Sequence, residues 1–374
     1  MNSRPDRMLG KSPRVSIGMP VYNGAAVLRE SLDSLLSQTY GDFELIISDN
    51  ASTDETESIC RSYAAGDPRV RYRRQEENRG ATWNFNHVFE LARGEYFKWA
   101  AHDDLHHPTF LARCVEVLDR SPDVVWCHSR TTHIGPDGRP LPDPAARDVS
   151  YSAAGAAELP GPGSVRAGRP ARLPTREAEH SHQRFRAVLL GDSSCIDVFG
   201  LMRRDVVRKT MLLLPYYGTD KVFVAELGLW GRYREIPQTL FFLRVHPQAS
   251  GCLRTAAEQQ QFEDPNASPL FTFTRLQLLR GYARAILRAD LTISERTRCF
   301  GVLLRYLFQV SKWKGVVIKT FRGMGTGGGY IEHLRASRQP QPSFPSKPSS
   351  PRQPPDNHRS NEPINKADSP ILLK

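Results

Sequence analysis

Short apolar runs and amphipathic segments alternate along roughly the first hundred residues of the chain. Four runs have the length and composition of buried strands: 14–20, 43–49, 70–74 and 95–101. Three segments between them carry apolar residues at helical spacing: 27–37, 52–63 and 81–93. Pro20 is expected to stop the first strand, and Ser52 with Glu55 forms a capping-box pattern before the second helix. Regular alternation of strand and helix predicts a doubly wound α/β sheet.

Periodicity is lost between residues 135 and 180 and then returns. That stretch is rich in Pro, Gly, Ala and Arg, which predicts a flexible insertion. An apolar helix over 219–232 and a strand over 241–247 follow it. We therefore predict one α/β domain over 14–250 that is interrupted by the insertion 135–180.

Charge is distributed unevenly along the chain. From residue 251 onward there are 19 Lys and Arg against 9 Asp and Glu, so nearly all of the net charge of +11 lies there. Residues 251–335 are predicted to form a basic helical extension, amphipathic between about 271 and 322, and the proline-rich residues 336–374 a disordered tail. This basicity suggests a membrane surface, an acidic ligand or nucleic acid as partner, although a solvated basic face explains it equally well.

Several classes of protein are excluded by the composition. No run of about 18 apolar residues occurs, which predicts no membrane-spanning helix, and the N-terminal segment lacks the apolar core of a secretory signal. The six cysteines have no zinc-ligand spacing, and a disulfide framework is not expected in a chain of this length. We therefore expect reduced thiols and a cytoplasmic location.

Polar clusters follow three of the predicted strands: Tyr22-Asn23-Gly24, Asp49-Asn50 and Asp103-Asp104. Doubly wound sheets bind ligands beyond the carboxyl ends of their strands, where these clusters fall. Neither G-x-G-x-x-G nor G-x-x-x-x-G-K-[ST] occurs, so the chain has no such glycine-rich loop for phosphate. Adjacent carboxylates instead supply the hard oxygen ligands of Mg²⁺ or Mn²⁺, which predicts phosphate binding through a divalent metal.

Longer motifs carry a resemblance to a known family. They are P-V-Y-N after the first strand, S-Q-T-Y after the first helix, D-N-A-S-T-D-E-T after the second strand, A-H-D-D after the fourth, and T-D-K-V-F and R-V-H-P further on. Over about residues 14–135 and 180–250 the chain resembles family 2 glycosyltransferases. The resemblance implies the GT-A fold, a Rossmann-like doubly wound mixed sheet, here with a C-terminal helical extension. It also implies transfer of a sugar from a nucleotide-diphosphate donor.

Nucleotide binding is implied for seven residues that match the family's motifs: Pro20, Tyr22, Asn23, Asp49, Asn78, Arg79 and Asp103. The first three match the loop that lies against the base and the ribose. Asp49 matches the carboxylate that accepts a hydrogen bond from the base ring, which favours a UDP-sugar. Asn78 and Arg79 match positions near the donor pocket, where Arg79 could contact the diphosphate.

The resemblance also implies a metal site and a catalytic base. Asp104 and His246 match ligands of Mn²⁺ or Mg²⁺, and Asp103 matches a carboxylate that contacts ribose or metal. Ala101 stands where many members have the first aspartate of an Asp-x-Asp motif, which leaves the division of roles between the two aspartates open. Asp220 matches the base that lies at the start of a helix beneath the acceptor site. One base and attack from the opposite face imply inversion at the anomeric carbon.

Each assignment has an alternative. The aspartates could simply cap adjacent turns and helices, and His246 could be a solvated loop residue. A non-catalytic protein that binds nucleotide sugars, membrane or nucleic acid with the same fold is the alternative function. The acceptor is left open: a glycan such as a cell-surface polysaccharide, a lipid-linked glycan, a protein and a small molecule all fit. The basic helices over about 271–322 leave two roles open, a peripheral contact with the inner face of a membrane and packing against the catalytic domain. A nucleic-acid partner is not expected, because no known binding motif for one occurs.

Overall fold

The computed structural model describes residues 12–141, 176–191, 195–246, 249, 253, 256–266 and 274–309. Most of the predicted insertion at 135–180 and the end of the predicted extension 251–335 lie outside these residues. The whole of the predicted tail, 336–374, lies outside them as well.

The described residues form eight strands, ten α-helices and a short 3-10 helix, Cys195–Phe199. The strands are β1 (Val15–Val21), β2 (Phe43–Asp49), β3 (Val70–Arg74), β4 (Tyr96–Trp99), β5 (Leu105–His106), β6 (Val124–Ile134), β7 (Leu201–Arg203) and β8 (Arg232–Arg244). The helices are α1 (Leu28–Leu36), α2 (Thr56–Gly66), α3 (Ala81–Glu90), α4 (Phe110–Arg120), α5 (Ser181–Leu190), α6 (Arg204–Val207), α7 (Thr219–Trp230), α8 (Ala256–Glu263), α9 (Thr274–Arg288) and α10 (Ile293–Leu307). The predicted alternation from β1 to β4 is confirmed.

The strands form one mixed sheet in the order β3-β2-β1-β4-β7-β6-β8-β5. β1 pairs in parallel with β2 and β4, β2 with β3, and β6 with β8, whereas β5 and β7 run antiparallel to their neighbours. Six strands therefore run in one direction and end at the same edge of the sheet. The loops after β1, β2, β4 and β8, which carry predicted site residues, lie along this edge.

Helices cover both faces of the sheet. Along β2, Leu45 and Ile47 belong to one apolar layer together with residues of α1, α2 and α4, whereas Ile46 belongs to the other. This second layer holds buried residues of α3, α5, α7, α9 and α10, among them Tyr282 and Tyr306. The predicted doubly wound sheet and its C-terminal helices are therefore confirmed.

β1 continues through Pro20, so the expectation that this proline ends the strand is wrong. β1 pairs with β4 only as far as Gly18, whose carbonyl accepts the N–H of Ala100. Backbone groups alternate in direction along a strand, so Pro20 faces the same side as Gly18, beyond the end of β4. The missing N–H of Pro20 therefore removes no hydrogen bond from the sheet.

The capping box predicted at Ser52 is not formed, and α2 begins at Thr56. The Ser52 hydroxyl accepts the backbone N–H of Asn23 (2.9 Å), and the Ser52 N–H donates to Asp49 (2.8 Å). Ser52 is therefore used to join the loops after β1 and β2. A hydroxyl engaged by a different loop is not available to cap the helix that follows it.

The described part of the predicted basic extension consists of α8, α9 and α10. α9 packs against α7, and α10 packs against both α5 and α9. These helices therefore share the second apolar layer with the α/β domain. Among the described residues, none of the helices combines the length and the hydropathy of a transmembrane segment.

Candidate active site

The loop after β1 is fixed against the loop after β2. Asn23 adopts a left-handed conformation with φ of 51°, and its side-chain oxygen accepts the N–H of Thr53 (2.8 Å). Pro20 is buried in β1, whereas the side chain of Tyr22 is 44% exposed. The loop therefore presents an aromatic ring to solvent at the edge where the parallel strands end.

Asp49, the last residue of β2, is fully buried. Its Oδ1 accepts the N–H of Ser52 (2.8 Å), and its Oδ2 accepts the phenol of Tyr72 (2.8 Å) and lies 3.5 Å from Nη1 of Arg74. Burial, followed by the hydrogen bond to this carboxylate, raises the pKa of Tyr72. Asp49 is thus held by neighbouring donors, and a ligand reaches it only if one of them moves.

Asn50 connects the loop after β2 to the segment before α3. Its Nδ2 donates to Oδ1 of Asn78 (2.7 Å) and to the carbonyl of Gly80 (3.1 Å), and its Oδ1 accepts the N–H of Arg79 (3.0 Å). Gly80 has φ of 85°, and a Cβ there would lie 2.3 Å from a backbone oxygen of α8, so only glycine fits. Asn78 therefore shapes the segment, whereas the exposed guanidinium of Arg79 stacks on Trp83 at 4.1 Å.

Asp103 and His246 meet from positions 143 residues apart in the chain. Nε2 of His246 lies 2.9 Å from Oδ2 of Asp103. Asp103 follows β4 and His246 follows β8, and their side chains are 15% and 12% exposed. The structure thus brings these two predicted residues together at the edge of the sheet, within reach of solvent.

Asp104 lies in a different environment from its neighbour. It is 1% exposed, and its Oδ1 accepts the backbone N–H of Arg244 (2.9 Å). Its Oδ2 is buried and has no hydrogen-bond partner among the described residues. Burial, and then the adjacent charge of Asp103, raises the pKa of Asp104 well above its ordinary value.

Arg244 holds the loop after β4 in place, although the sequence analysis did not single it out. Its side chain is fully buried, and its Nε donates to the carbonyl of Asp103 (2.8 Å). Its two terminal nitrogens donate to the carbonyl of Pro136 (2.8 Å) and to the carboxylate of Glu30 (2.6 Å). The signals in the sequence were its place in the R-V-H-P motif and its position at the end of an apolar run, and neither indicated a buried role.

A buried basic cluster underlies the same loop. Nζ of Lys98, on β4, donates to the carbonyl of Trp99 (2.9 Å) and lies 2.9 Å from Nε2 of His106. Burial lowers the pKa of Lys98 to about 7 and the pKa of His128 to about 3. The charge of Asp104 acts on the pKa of Lys98 in the opposite direction.

Asp220 lies in the first turn of α7. The N-cap position is occupied by Gly218, in a left-handed conformation with φ of 82°, so Asp220 is not the capping residue of this helix. Burial raises the pKa of Asp220, and this effect is larger than the lowering by the charge of Lys221 and by the backbone N–H groups at the helix start. A carboxylate with a raised pKa is a stronger proton acceptor than an ordinary one.

A second carboxylate is close enough to Asp220 for the two charges to interact. Glu263, the last residue of α8, accepts the hydroxyl of Thr82 (2.6 Å). Burial raises the pKa of Glu263 to about 7, and the charge of Asp220 adds to the rise. On the same helix, Gln260 donates to the carbonyl of Pro215 (3.1 Å), just before α7. α8 therefore joins α3 to the start of α7 and adds a carboxylate that no motif in the sequence indicated.

The open pair at the edge of the sheet fits a divalent cation. Asp103 offers a carboxylate oxygen and His246 an imidazole nitrogen, a combination that suits Mn²⁺ better than Mg²⁺. Within the described ranges, no group of three or more His, Cys, Asp and Glu side chains is arranged to hold a metal. Two protein ligands are enough for a cation that also binds substrate phosphates and water.

Comparison with known proteins identifies the family. A sequence profile described as Glycosyl transferase family 2 matches residues 16–210, slightly more than half of the chain. The chain belongs to glycosyltransferase family 2. The matched region contains Asp49, Asp103 and Asp104, whereas Asp220 and His246 lie beyond its end.

Curated relatives match the N-terminal part of the chain. An uncharacterized glycosyltransferase of Rickettsia typhi is 40% identical over 119 residues, which cover 31% of this chain and 36% of the relative. Glycosyltransferase GlyG of Streptococcus pneumoniae is 33% identical over 115 residues, which cover 30% of this chain and 38% of the relative. The chain thus spans little more than a third of the length of these two relatives.

Solved structures share the fold. TarS of S. aureus in complex with UDP-GlcNAc aligns with a TM-score of 0.52 and 17% identity, over 82% of this chain and 76% of that one. Its complex with UDP gives a TM-score of 0.50 at the same identity, over 79% and 70% of the two chains. The mixed sheet with its C-terminal helices therefore has the GT-A type of fold that the resemblance implied.

Proposed function

We propose that the protein is an inverting, metal-dependent glycosyltransferase that moves a sugar from a nucleotide-diphosphate donor to an acceptor hydroxyl. Membership of family 2 supports glycosyl transfer. The observation that carries the proposal is the 2.9 Å approach of His246 to Asp103. It puts a carboxylate and an imidazole where the parallel strands end, the position at which such sheets bind ligands.

A UDP-sugar is the favoured donor in this proposal. TarS, which shares the fold, has been solved with UDP and with UDP-GlcNAc. The exposed ring of Tyr22 offers a surface on which a base can stack. Asn23 and the buried Pro20 would act by holding the loop that carries this ring.

The remaining donor contacts follow from the loops after β2 and β3. Asp49 can take the base N–H at Oδ2 if Arg74 gives way, since its 3.5 Å contact is the longest of the three made by that carboxylate. Arg79 is exposed and can turn from Trp83 towards the diphosphate. Asn78 would keep the segment in the conformation that allows this.

Asp103 and His246 would hold the divalent cation, with Asp104 behind them. When bound, the cation neutralises the negative charge that builds up on the diphosphate leaving group. Sequence resemblance favoured Asp104 as the ligand. We prefer Asp103 because Asp104 is buried and one of its oxygens already accepts the N–H of Arg244.

Asp220 is proposed as the general base. The acceptor hydroxyl must lose its proton as its oxygen attacks the anomeric carbon, and a positioned carboxylate can accept that proton. The bond from the anomeric carbon to the diphosphate oxygen breaks as the new glycosidic bond forms, and a single displacement inverts the configuration. The raised pKa of Asp220 suits this role. Glu263, whose pKa is raised in part by the charge of Asp220, is the other carboxylate that could take the proton.

The domain division is part of the same proposal. Residues 14–250 form the catalytic domain, with 135–180 as an insertion, and 336–374 are dispensable for turnover. The extension 251–335 is not merely an appendage, because its helix α8 packs on α3 through Glu263, on which the charge of Asp220 acts. We therefore expect removal of the whole extension to abolish turnover.

A donor screen tests the proposed function. The full chain is incubated with individual nucleotide sugars and with Mn²⁺, Mg²⁺ or EDTA, and release of the nucleotide diphosphate is measured. We expect release with UDP-sugars in Mn²⁺ and none in EDTA. Once an acceptor is found, the anomeric configuration of the product tests inversion. The proposal fails if no donor is turned over and UDP with Mn²⁺ does not raise the melting temperature.

A further inference from the structure

The C-terminal helix pair presents a second apolar face to solvent. One side of α10 is buried and carries Cys299, Val302, Leu303 and Tyr306. Another side exposes large apolar residues at helical spacing: Ile293 (85%), Phe300 (37%), Leu304 (53%), Leu307 (38%) and Phe308 (73%). α9 adds Leu276 (48%) and Leu287 (62%). Of the ten large apolar side chains that are exposed among the described residues, six lie on these two helices, and a seventh, Phe308, is the C-cap of α10. A helix that packs on a core through one face normally has a polar opposite face.

Uncompensated positive charge borders this apolar stripe. α9 contains no acidic residue, and its exposed Arg280 and Arg284 make no hydrogen bond or ion pair with the described part of the chain. On α10, Arg305 is exposed in the same way. The single carboxylate of α10, Glu295, is already engaged by the imidazole of His182 (3.0 Å). The surface therefore combines exposed apolar area with arginines that have no counter-charge.

A groove at the edge of this surface also combines apolar side chains with arginines. It has a volume of about 480 Å³ and lies between α9 and the segment before α7. Its lining combines apolar side chains with two guanidinium groups: Met211, Leu214, Leu287, Arg284 and Arg288. Arg288 lies 3.6 Å from the carboxylate of Glu226, whereas the guanidinium of Arg284 has no such partner in the described part of the chain. An apolar lining beside the guanidinium of Arg284 suits a molecule with a hydrocarbon part and a phosphate.

We propose that the exposed faces of α9 and α10 form a docking surface for an anionic lipid bilayer. The apolar stripe would enter the boundary between headgroups and acyl chains, and the arginines would meet the lipid phosphates. Charge complementarity favours an anionic bilayer over a second copy of this chain as the partner of this surface. A second copy of this chain would place like charges against each other, whereas an anionic bilayer neutralises them. This inference goes beyond the proposed function and does not depend on the transfer reaction.

The surface adjoins the element that carries the proposed base. α9 packs directly on α7, whose first turn contains Asp220. A Cβ at Gly218, just before α7, would lie 3.6 Å from the side chain of Leu278 of α9. Attachment through α9 and α10 would therefore hold the acceptor side of the molecule close to the membrane.

Co-sedimentation of the full chain with vesicles tests the proposal. Two kinds of vesicle are compared: phosphatidylcholine alone, and equal parts of phosphatidylcholine and phosphatidylglycerol. One double variant is Leu304→Ser with Phe308→Ser, and the other is Arg280→Glu with Arg284→Glu. The matched controls are Leu141→Ser and Arg120→Glu, which replace exposed residues outside this surface. Thermal unfolding shows whether each variant is folded.

We expect binding to the anionic vesicles only, weakened by added salt. Each arginine near an anionic surface strengthens binding by about fivefold, so the double charge reversal should weaken it by at least about tenfold. The double serine variant should weaken it comparably, and both controls should bind like the unaltered chain.

Three results would overturn the proposal. One is equal recovery with both kinds of vesicle, or none with either. Another is an oligomer that light scattering detects in the unaltered chain and not in the double serine variant, while both bind vesicles equally. The apolar stripe would then be an interface with a second copy of the chain. The third is a hydrogen-exchange result in which α10 is protected without vesicles and loses that protection when residues 310–322 are deleted. Such a result would mean that segment 310–322 covers the apolar stripe.

Discussion

Asp103 and Asp104 are adjacent in the sequence but belong to two different regions of the site. Asp103 lies in an open region at the edge of the sheet, where it meets His246. Asp104 lies in a buried region together with Lys98 and with the backbone N–H of Arg244. A motif identifies both residues as carboxylates, but their surroundings decide which of them can reach a ligand. Burial and existing hydrogen bonds separate a reacting carboxylate from one that holds a loop.

The same contrast extends to the other two predicted aspartates. Asp220 lies in the first turn of α7, does not cap that helix, and is only partly buried. Asp49 is fully buried and accepts hydrogen bonds from Ser52 and Tyr72. We therefore expect substitutions in the open region to act on turnover and substitutions in the buried region to act on stability.

The largest effect is expected at Asp220. Asp220→Asn keeps the size of the side chain but removes the proton acceptor, so turnover should fall by about 10²–10⁴-fold. Nucleotide affinity and melting temperature should stay close to those of the unaltered chain, because the loss lies in the transition state. Steady-state kinetics, calorimetry with UDP and thermal unfolding on the same preparation measure all three.

Glu263→Gln is the matched control for this prediction. It alters the neighbouring carboxylate while leaving Asp220 in place. If Asp220→Asn transfers sugar at nearly the normal rate and Glu263→Gln does not, the base is Glu263, and the assignment from the family motif is wrong.

Asp103→Ala should have the next largest effect. Loss of a cation ligand removes several kcal/mol of charge stabilisation, which corresponds to roughly 10³-fold in rate. The fold should be unaffected, since this side chain lies at the open edge of the sheet. Mn²⁺ binding in the presence of UDP, followed by electron paramagnetic resonance, should be lost. If Asp103→Ala still binds Mn²⁺ and Asp104→Asn does not, the metal ligand is Asp104.

Asp104→Ala should act mainly on stability. It leaves the buried N–H of Arg244 without an acceptor, which costs about 1–3 kcal/mol in the free energy of unfolding. Asp104→Asn keeps an oxygen for that N–H and should cost less. Urea unfolding of the two variants gives the difference, and the rate per folded molecule should fall far less than in Asp103→Ala. An equal loss of turnover in Asp103→Ala and Asp104→Ala would contradict the proposed difference between the open and the buried region.

Much of this contrast between the open and the buried region could not be predicted from the sequence. The motifs were enough to predict that Asp103 and His246 share a site, because parallel strands end at one edge. They could not predict that Arg244 would be buried, since an arginine is buried only when hydrogen bonds surround it, and its partners lie far away in the chain. Glu263 was missed for the same reason, because only the packing of α8 against α3 places it near the charge of Asp220.

In the fold, too, the features that depend on local sequence were predicted, and those that depend on distant residues were not. Apolar runs predicted β1 to β4 because each run is long enough to signal a buried strand by itself. β5 and β7 have two and three residues, and only their pairing with β8, β4 and β6 makes them strands. The capping box at Ser52 failed because Asn23, from another loop, competes for the hydroxyl.

A smaller effect is expected in the pH dependence of turnover. The proposed base must be deprotonated to act, and burial raises the pKa of Asp220 above its ordinary value of about 3.8. The acidic limb of kcat/KM should therefore fall at a higher pH than an ordinary aspartate would give. Asp220→Asn should lose this limb along with the rate. A limb that is unchanged in the residual activity of Asp220→Asn would mean that another group titrates.

The smallest effect concerns Lys98 in the buried region. Its pKa of about 7 in the folded protein lies below the ordinary value of 10.5, so between these values the unfolded chain binds one more proton. The free energy of unfolding should then rise with pH in this window, by at most about 1.4 kcal/mol per pH unit from this group. Lys98→Met should remove that rise, so its difference from the unaltered chain should change steadily between pH 7 and pH 9 in urea unfolding. Lys209→Met, which replaces an exposed lysine, should show no such trend. A constant difference in Lys98→Met would mean that water reaches this lysine and that the region behind Asp104 is not closed to solvent.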